Sequence, residues 1–332
     1  MKIEIVAEIA QGFEGSVDQA RLLVIAAAKA GANAAKFQLV YADELSTPDY
    51  PYYNLFSKLE MTDDDWISIK KMCDSNGVEL ILDVFGELGL RLVEKLDIRS
   101  IKLHATDINN IGFLELLSKS SIDRIMVGVG GAYHDEIIRA LEILRNKNVV
   151  LLHGFQGYPT AICDNQMSRL KVFDEIVSTR QNVVLGFSDH VSPTDPSSIS
   201  LPAFALGLGA IVLEKHLTLA CCMELEDHEA AMNPDQFHIF TKSIRDIEKA
   251  QGKSKLVTDF EMSAKEHLYR KNIRRHVVAN KTLKAGAKIK ASDVTLKRTA
   301  SKTAYTDIQS VYNKELNREI IKDTPINEGD VN

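Results

Sequence analysis

The chain has 332 residues, 45% of them hydrophobic and 26% charged, with a formal net charge of -6. That length accommodates one large domain plus a small one, and the acidic balance excludes a dominant nucleic-acid-binding role, which a basic face would announce. Cys73, Cys163, Cys221 and Cys222 show no CxxC or other zinc-ligand spacing, which fits a reducing, cytoplasmic compartment.

The opening MKIEIVAEIA alternates and then turns apolar, so it reads as a first strand rather than an export signal or membrane anchor. In chain order the strand candidates are Ile3–Glu8, Ala34–Phe37, Glu79–Val84, Ser100–Leu103, Arg124–Val127, Val149–His153, Val183–Phe187 and Ala210–Glu214. Segments of helical period fall between and after them, near 17–30, 62–76, 87–95, 110–119, 133–146, 166–180, 197–206 and 234–250, and Thr62 with the three aspartates after it is a capped helix start. Eight strand–helix pairs predict an α/β chain closed into a (β/α)8 TIM barrel over residues 1–252. A doubly wound open sheet fits less well, because Glu8-Ile-Ala-Gln-Gly-Phe-Glu-Gly after the first strand does not match GxGxxG.

Tyr41 to Met61 exceeds an ordinary βα connection and holds two prolines and four tyrosines. It reads either as a lid or dimer contact, or as a surface excursion packed by its own aromatics. Beyond the barrel, 253–272 is polar and reads as a linker. Residues 273–332 read as short strands and turns of a small β-rich domain with a thin core that leans on another surface.

Active sites of such barrels sit at the C-terminal ends of the strands, so polar residues there carry chemistry. Glu8, Lys36, Gln38, Asp83, Lys102, His104, Asp107, His153, Gln156, Ser188, Asp189, His190, Glu214, Lys215 and His216 all fall at or just after predicted strand ends. A single one is explained by packing; a near-complete ring is not. His190 and His216 end neighbouring strands, and two imidazoles can hold a divalent cation while leaving positions open for water or substrate. Lys36 and Lys102 would face the same mouth as anion donors, with Schiff-base chemistry as the competing role.

EIAQGFEGS, GANAAKFQ, LLHGFQGYPT, GFSDH, ALGLGAIVLEKHLT and DHEAAMNPDQF, followed by the C-terminal RRHVVANKTLKAGAKIKASDVTLKR, resemble the sialic acid synthases. These condense phosphoenolpyruvate with an N-acylhexosamine and carry a C-terminal antifreeze-like domain of the β-clip type. The resemblance implies His190 and His216 as ligands of Mn2+ or Mg2+, with Glu214 beside the metal and Glu14 as a catalytic carboxylate. It implies Lys36, Lys102 and Ser188 for the donor, and Gln38, Gln156, Tyr158 and Asp227 on the substrate side. It also implies a domain-swapped homodimer in which Arg298 reaches the partner's barrel, an enzyme of the transferase class, and neither a nucleic-acid nor a membrane partner.

Three departures stand out. Asp83 replaces a residue of an STPF run, Ala105 with Thr106 and Asp107 replaces a Ser-Gly-Glu run, and Gly128 to Gly131 replaces STGM. Hydroxyls expected around the donor phosphate are missing, and although Thr106 and the glycine-run amides can compensate, Asp83 cannot unless it is protonated or paired. Two further readings stay open: a metal-dependent aldolase or lyase with a non-phosphorylated donor, and a non-catalytic sugar-binding paralogue.

Overall fold

The computed structural model describes residues 2–252 and 261–332. The chain divides into two compact units at Gly252/Lys253.

In the first unit eight parallel strands close into a barrel in chain order. They are β1 (Glu4–Ala10), β2 (Ala34–Leu39), β3 (Glu79–Val84), β4 (Ser100–Leu103), β5 (Arg124–Gly128), β6 (Asn148–His153), β7 (Val183–Asp189) and β8 (Ala210–His216), with β1 pairing both β2 and β8. The predicted barrel is present. β1, β2, β7 and β8 each run two residues further than the sequence reading placed them; in β7 and β8 the added residues include Asp189 and Lys215, which look like loop but pair with each other and stay in the ladder.

The helices are α1 (Val17–Ala30), α2 (Ala42–Leu45), α3 (Tyr53–Leu59), α4 (Asp63–Asn76), α5 (Glu87–Lys95), α6 (Ile111–Lys119), α7 (His134–Ile143), α8 (Arg169–Ser178), α9 (Ser197–Gly207) and α10 (Pro234–Ala250). Their ends follow local chemistry. Ser16 caps α1 by accepting from Gln19 N–H, and Gly31 ends it at φ 90°, a left-handed conformation that a side chain would strain. Thr62 and Asp65 form the expected capping box of α4, and Asn233 with Gln236 does the same for α10, where Pro234 stands in the first turn. The connection after β2 carries α2 and α3, so it is folded rather than an extended loop.

Outward-facing strand residues such as Ile5, Ala7, Phe37, Leu213 and Phe187 pack on the helices in the main core. Among the described residues no helix is long and apolar enough to cross a membrane.

The second unit contains α11 (Ala264–Ile273) and the antiparallel pair β9 (His276–Ala279) and β10 (Val294–Lys297). Its core gathers Val277, Leu283, Ile289, Val311, Ile320 and Ile326. Of the segment read as a linker, 253–260 lie outside the described residues and 264–272 are helical.

Candidate active site

Pleating turns alternate strand residues into the barrel. Val6, Ala34, Ile81, Met126, Val150 and Val212 form one apolar layer inside it. Two residues further along their strands, Glu8, Lys36, Asp83 and Glu214 face inward with Lys102 of β4, and all five are at most 3% exposed.

These five form one ionic floor beneath the mouth. Lys36 Nζ contacts a Glu8 carboxylate oxygen, Asp83 Oδ1 at 2.9 Å and Glu214 Oε2 at 3.5 Å. Lys102 Nζ lies 2.9 Å from Glu214 Oε1, 3.7 Å from Glu8 Oε2 and 3.8 Å from Asp83 Oδ2. Ser188 Oγ donates to Glu214 Oε1 at 2.7 Å. Burial opposes the charge on Glu214, yet Lys102, Lys36 and the Ser188 hydrogen bond hold its carboxyl well below the usual range. Burial, only partly offset by Lys36, pushes Glu8 up to about 7. Burial also works against the Lys36 ammonium, but Asp83, Glu214 and Glu8 keep it protonated well above its ordinary value.

His190, just past β7, and His216, the last residue of β8, stand side by side with ring centroids 5.1 Å apart. Tyr158 meets both edge-on, at 5.2 and 5.6 Å. Burial lowers His190 to about 3 and His216 well below the usual imidazole value, so both rings are neutral, the form that ligates metals. His190 Nδ1 is buried without a hydrogen-bond partner. Two neutral imidazoles, one with an orphaned nitrogen, fit part of a divalent-metal donor set. Among the described residues no group of three His, Cys, Asp or Glu side chains converges, so further ligands would come from water or substrate.

Over the mouth opens a cavity of about 700 Å³, within the roughly 300–1,000 Å³ range of small-molecule sites. Gln11, Gln38, His104, Asp107, Tyr158 and Asp227 give it polar groups, and Tyr50, Tyr52, Phe56 and Phe85 give it an aromatic wall. The segment 41–61 supplies much of that wall. A second space of about 10 Å³, bordered by Lys102, Ala105, Gly128, Ser188 and His190, has room for about one water. The glycine run behind it is tightly packed: a Cβ on Gly130 would lie 2.1 Å from the Gly154 carbonyl oxygen, and Val129 N–H is already given to Leu152 O.

The structure therefore divides the expected residues. Gln38, Tyr158 and Asp227 line the large cavity; Lys36, Lys102, Ser188, Glu214, His190 and His216 lie at the mouth below or beside it. Gln156 borders only the small space and places its amide nitrogen 2.8 Å from His104 Nε2. Glu14 occupies an exposed turn at φ 50° and borders neither cavity. Arg298 follows β10 in the second unit and is exposed. Asp189 and Lys215 pair with each other at 2.8 Å; they alternate with the inward Ser188 and Glu214 and serve the strand pair, not the mouth. His153 also faces away, bonded to Asn165 O and packed on Phe173. Gln11, Phe85 and the aromatics of 41–61 carried no isolated sequence signal of their place in the cavity.

Asp227 lies 3.9 Å from His216 Nδ1, and burial, with Glu226 and Glu229 nearby, raises it to about 7. A raised folded pKa means that its stabilising contribution is full below the ordinary aspartate range near 4 and disappears as pH rises through about 7. In metal-free protein Asp227→Asn is expected to be more stable than wild type at about pH 8 and no different at about pH 4. Urea unfolding at the two pH values checks it, and an equal offset at both would refute the assignment.

The NeuB family model matches residues 23–256 and a SAF domain model matches 274–332. The N,N'-diacetyllegionaminic acid synthase of Legionella pneumophila is 25% identical over 97% of this chain and 92% of its own length. The pseudaminic acid synthase of Campylobacter jejuni is 27% identical over 86% of this chain and 84% of its own. Among solved structures, the N-acetylneuraminic acid synthetase of Leptospira borgpetersenii, in complex with citrate, superposes with a TM-score of 0.72 at 25% identity, covering 82% of this chain and 93% of that one.

Proposed function

The chain belongs to the NeuB family, and on that premise we propose that it condenses phosphoenolpyruvate with an N-acylhexosamine of the N-acetylmannosamine type to give a nonulosonic acid. The class is that of the synthases it resembles, a transferase. One observation carries the reading: paired neutral imidazoles, a charged floor and a sugar-sized cavity meet at the C-terminal mouth of one barrel.

In this reading Gln38, Tyr158 and Asp227 bind and orient the acceptor's hydroxyl and amide groups in the large cavity. His190 and His216 hold a divalent cation, Mn2+ or Mg2+. Such an ion supplies Lewis acidity at developing oxygen charge. Lys102 and Ser188 face the donor side, and the aromatic wall from 41–61 limits water around the reacting carbons. Glu8 is the floor carboxyl that changes protonation near neutrality, so the floor can adjust its charge as an anionic donor enters. Glu14 receives no step. The functional unit is a domain-swapped homodimer with Arg298 as a substrate residue, and the enzyme works in the cytoplasm.

A second reading, aldol addition of a donor without phosphate, is favoured by the 10 Å³ space beside Lys102 and Ser188. Incubating the protein with Mn2+, a panel of N-acylhexosamines and either phosphoenolpyruvate or pyruvate as donor separates the two. Phosphate released only with an acceptor is the expected result. No release, but consumption of pyruvate with the same sugars, would establish the second reading, and neither reaction would remove both.

A further inference from the structure

We propose that Asp83 sets donor selection in this chain: its carboxylate occupies the ammonium groups an anionic donor needs, and so penalises a donor in proportion to its negative charge. The inference rests on the synthase reading and concerns one residue of that site.

An ammonium has three N–H donors. Those of Lys36 face three carboxylates, Glu8, Asp83 and Glu214, and the side chain is 0% exposed. Lys102 stands among the same three. Lys36 has no N–H left over for an entering anion, so a donor carboxylate or phosphate that reaches it must displace a protein carboxylate; Lys102 is hydrogen-bonded to Glu214 Oε1 at 2.9 Å and meets Glu8 and Asp83 only at 3.7 and 3.8 Å.

Three carboxyl groups, Glu8, Asp83 and Glu214, surround the two ammonium groups of Lys36 and Lys102, one more than pairing them requires. Asp83 is the least committed of the three: it accepts one hydrogen bond, from Lys36, and its Oδ2 is buried without a partner 3.8 Å from Lys102, whereas Glu214, whose Oε2 is also unpartnered, accepts from Lys102 and Ser188 on Oε1, and Glu8 accepts from Ala10 N–H and contacts Lys36. A third carboxyl group kept only to neutralise two buried lysines would not leave an orphaned oxygen. Its place, an inward position near the C-terminal end of β3, is where barrel residues bear on ligands rather than on stability. The small space beside Lys102 is an independent sign that the donor side is closed to a phosphoryl group until something yields.

Phosphoenolpyruvate carries up to two more negative charges than pyruvate at neutral pH, so the penalty separates them. Calorimetric titration of the full chain in Mn2+-containing buffer, with each compound in turn, tests this on wild type, Asp83→Ser and Asp83→Asn. Both variants are expected to bind phosphoenolpyruvate at least about tenfold tighter, with a smaller gain for pyruvate. Asparagine keeps the shape and an oxygen for Lys36, so a gain there isolates the charge. Lost packing does not tighten a site, which distinguishes selection from a structural role. Unchanged or weaker binding in both variants, or equal gains for the two donors, overturns the proposal. If wild type binds phosphoenolpyruvate tightly and neither variant improves on it, the role of Asp83 falls and the synthase reading stands. If no protein binds either donor, both fall.

Discussion

Replacing His190 or His216 with alanine is expected to lower synthase activity by roughly a thousandfold, the scale of a Lewis acid's several kcal/mol at developing charge, and to leave the barrel folded. The two rings lie at the mouth against Tyr158 and each other, apart from the main core between strands and helices. Their burial keeps them neutral at the expense of protonation, a state that costs stability in acid and is the one a metal ligand requires. Elemental analysis and a thermal melt check the prediction together: metal content falls in both variants while the midpoint moves by only a few degrees, about what a surface-scale change causes. Full occupancy in both would dismiss the ligand assignment. The same inactive His190→Ala chain tests the dimer. Mixed with Arg298→Ala and allowed to exchange subunits, it forms heterodimers that hold one barrel with both histidines and one intact partner arginine. Activity then returns to about a quarter of wild type if half the dimers are mixed and each has one whole site. No return after proven exchange means that each chain builds its site alone.

The barrel was legible because eight β-branched runs and eight helical periods alternate, and a closed parallel barrel is what such alternation builds. The ring of polar strand ends was legible too, but its division was not. Ser188 and Asp189, or Glu214 and Lys215, are neighbours in sequence and face opposite sides of the sheet, so one of each pair does structural duty. The ends of β7 and β8 extend past the expected bounds for a related reason, since Asp189 and Lys215 look like loop until each is seen as the other's counter-charge on the next strand. Segment 41–61 was undecidable because α2 and α3 have four and seven residues, too short for a period to show. The sequence marks Asp83 as a misfit for a phosphate site unless it is protonated or paired. Its partner Lys36 lies 47 positions away, a contact that register rather than spacing creates.

That pairing changes what Lys36→Ala does. Read as an exposed donor ligand, Lys36 would affect substrate affinity alone. Buried at the centre of three carboxylates, it is first a structural counter-charge, and its removal leaves Glu8, Asp83 and Glu214 with Lys102 only. Breaking a buried ion pair by deleting one partner costs about 3–5 kcal/mol, and the expected loss in urea unfolding is of that size at neutral pH. The loss shrinks in acid, where the stranded carboxylates take up protons. Adding Asp83→Ala to Lys36→Ala recovers part of the stability, because the double variant restores equal numbers of ammonium and carboxylate groups once Glu8 is protonated. The coupling between the two positions is then about 1–3 kcal/mol, in the sense that the second change is less harmful in the presence of the first. Strict additivity would mean that the two groups do not sense each other, and the ionic floor would lose its central contact. A donor-affinity defect in Lys36→Ala is meaningful only beside this stability measurement, since the same substitution unbalances the surface on which the donor is expected to rest.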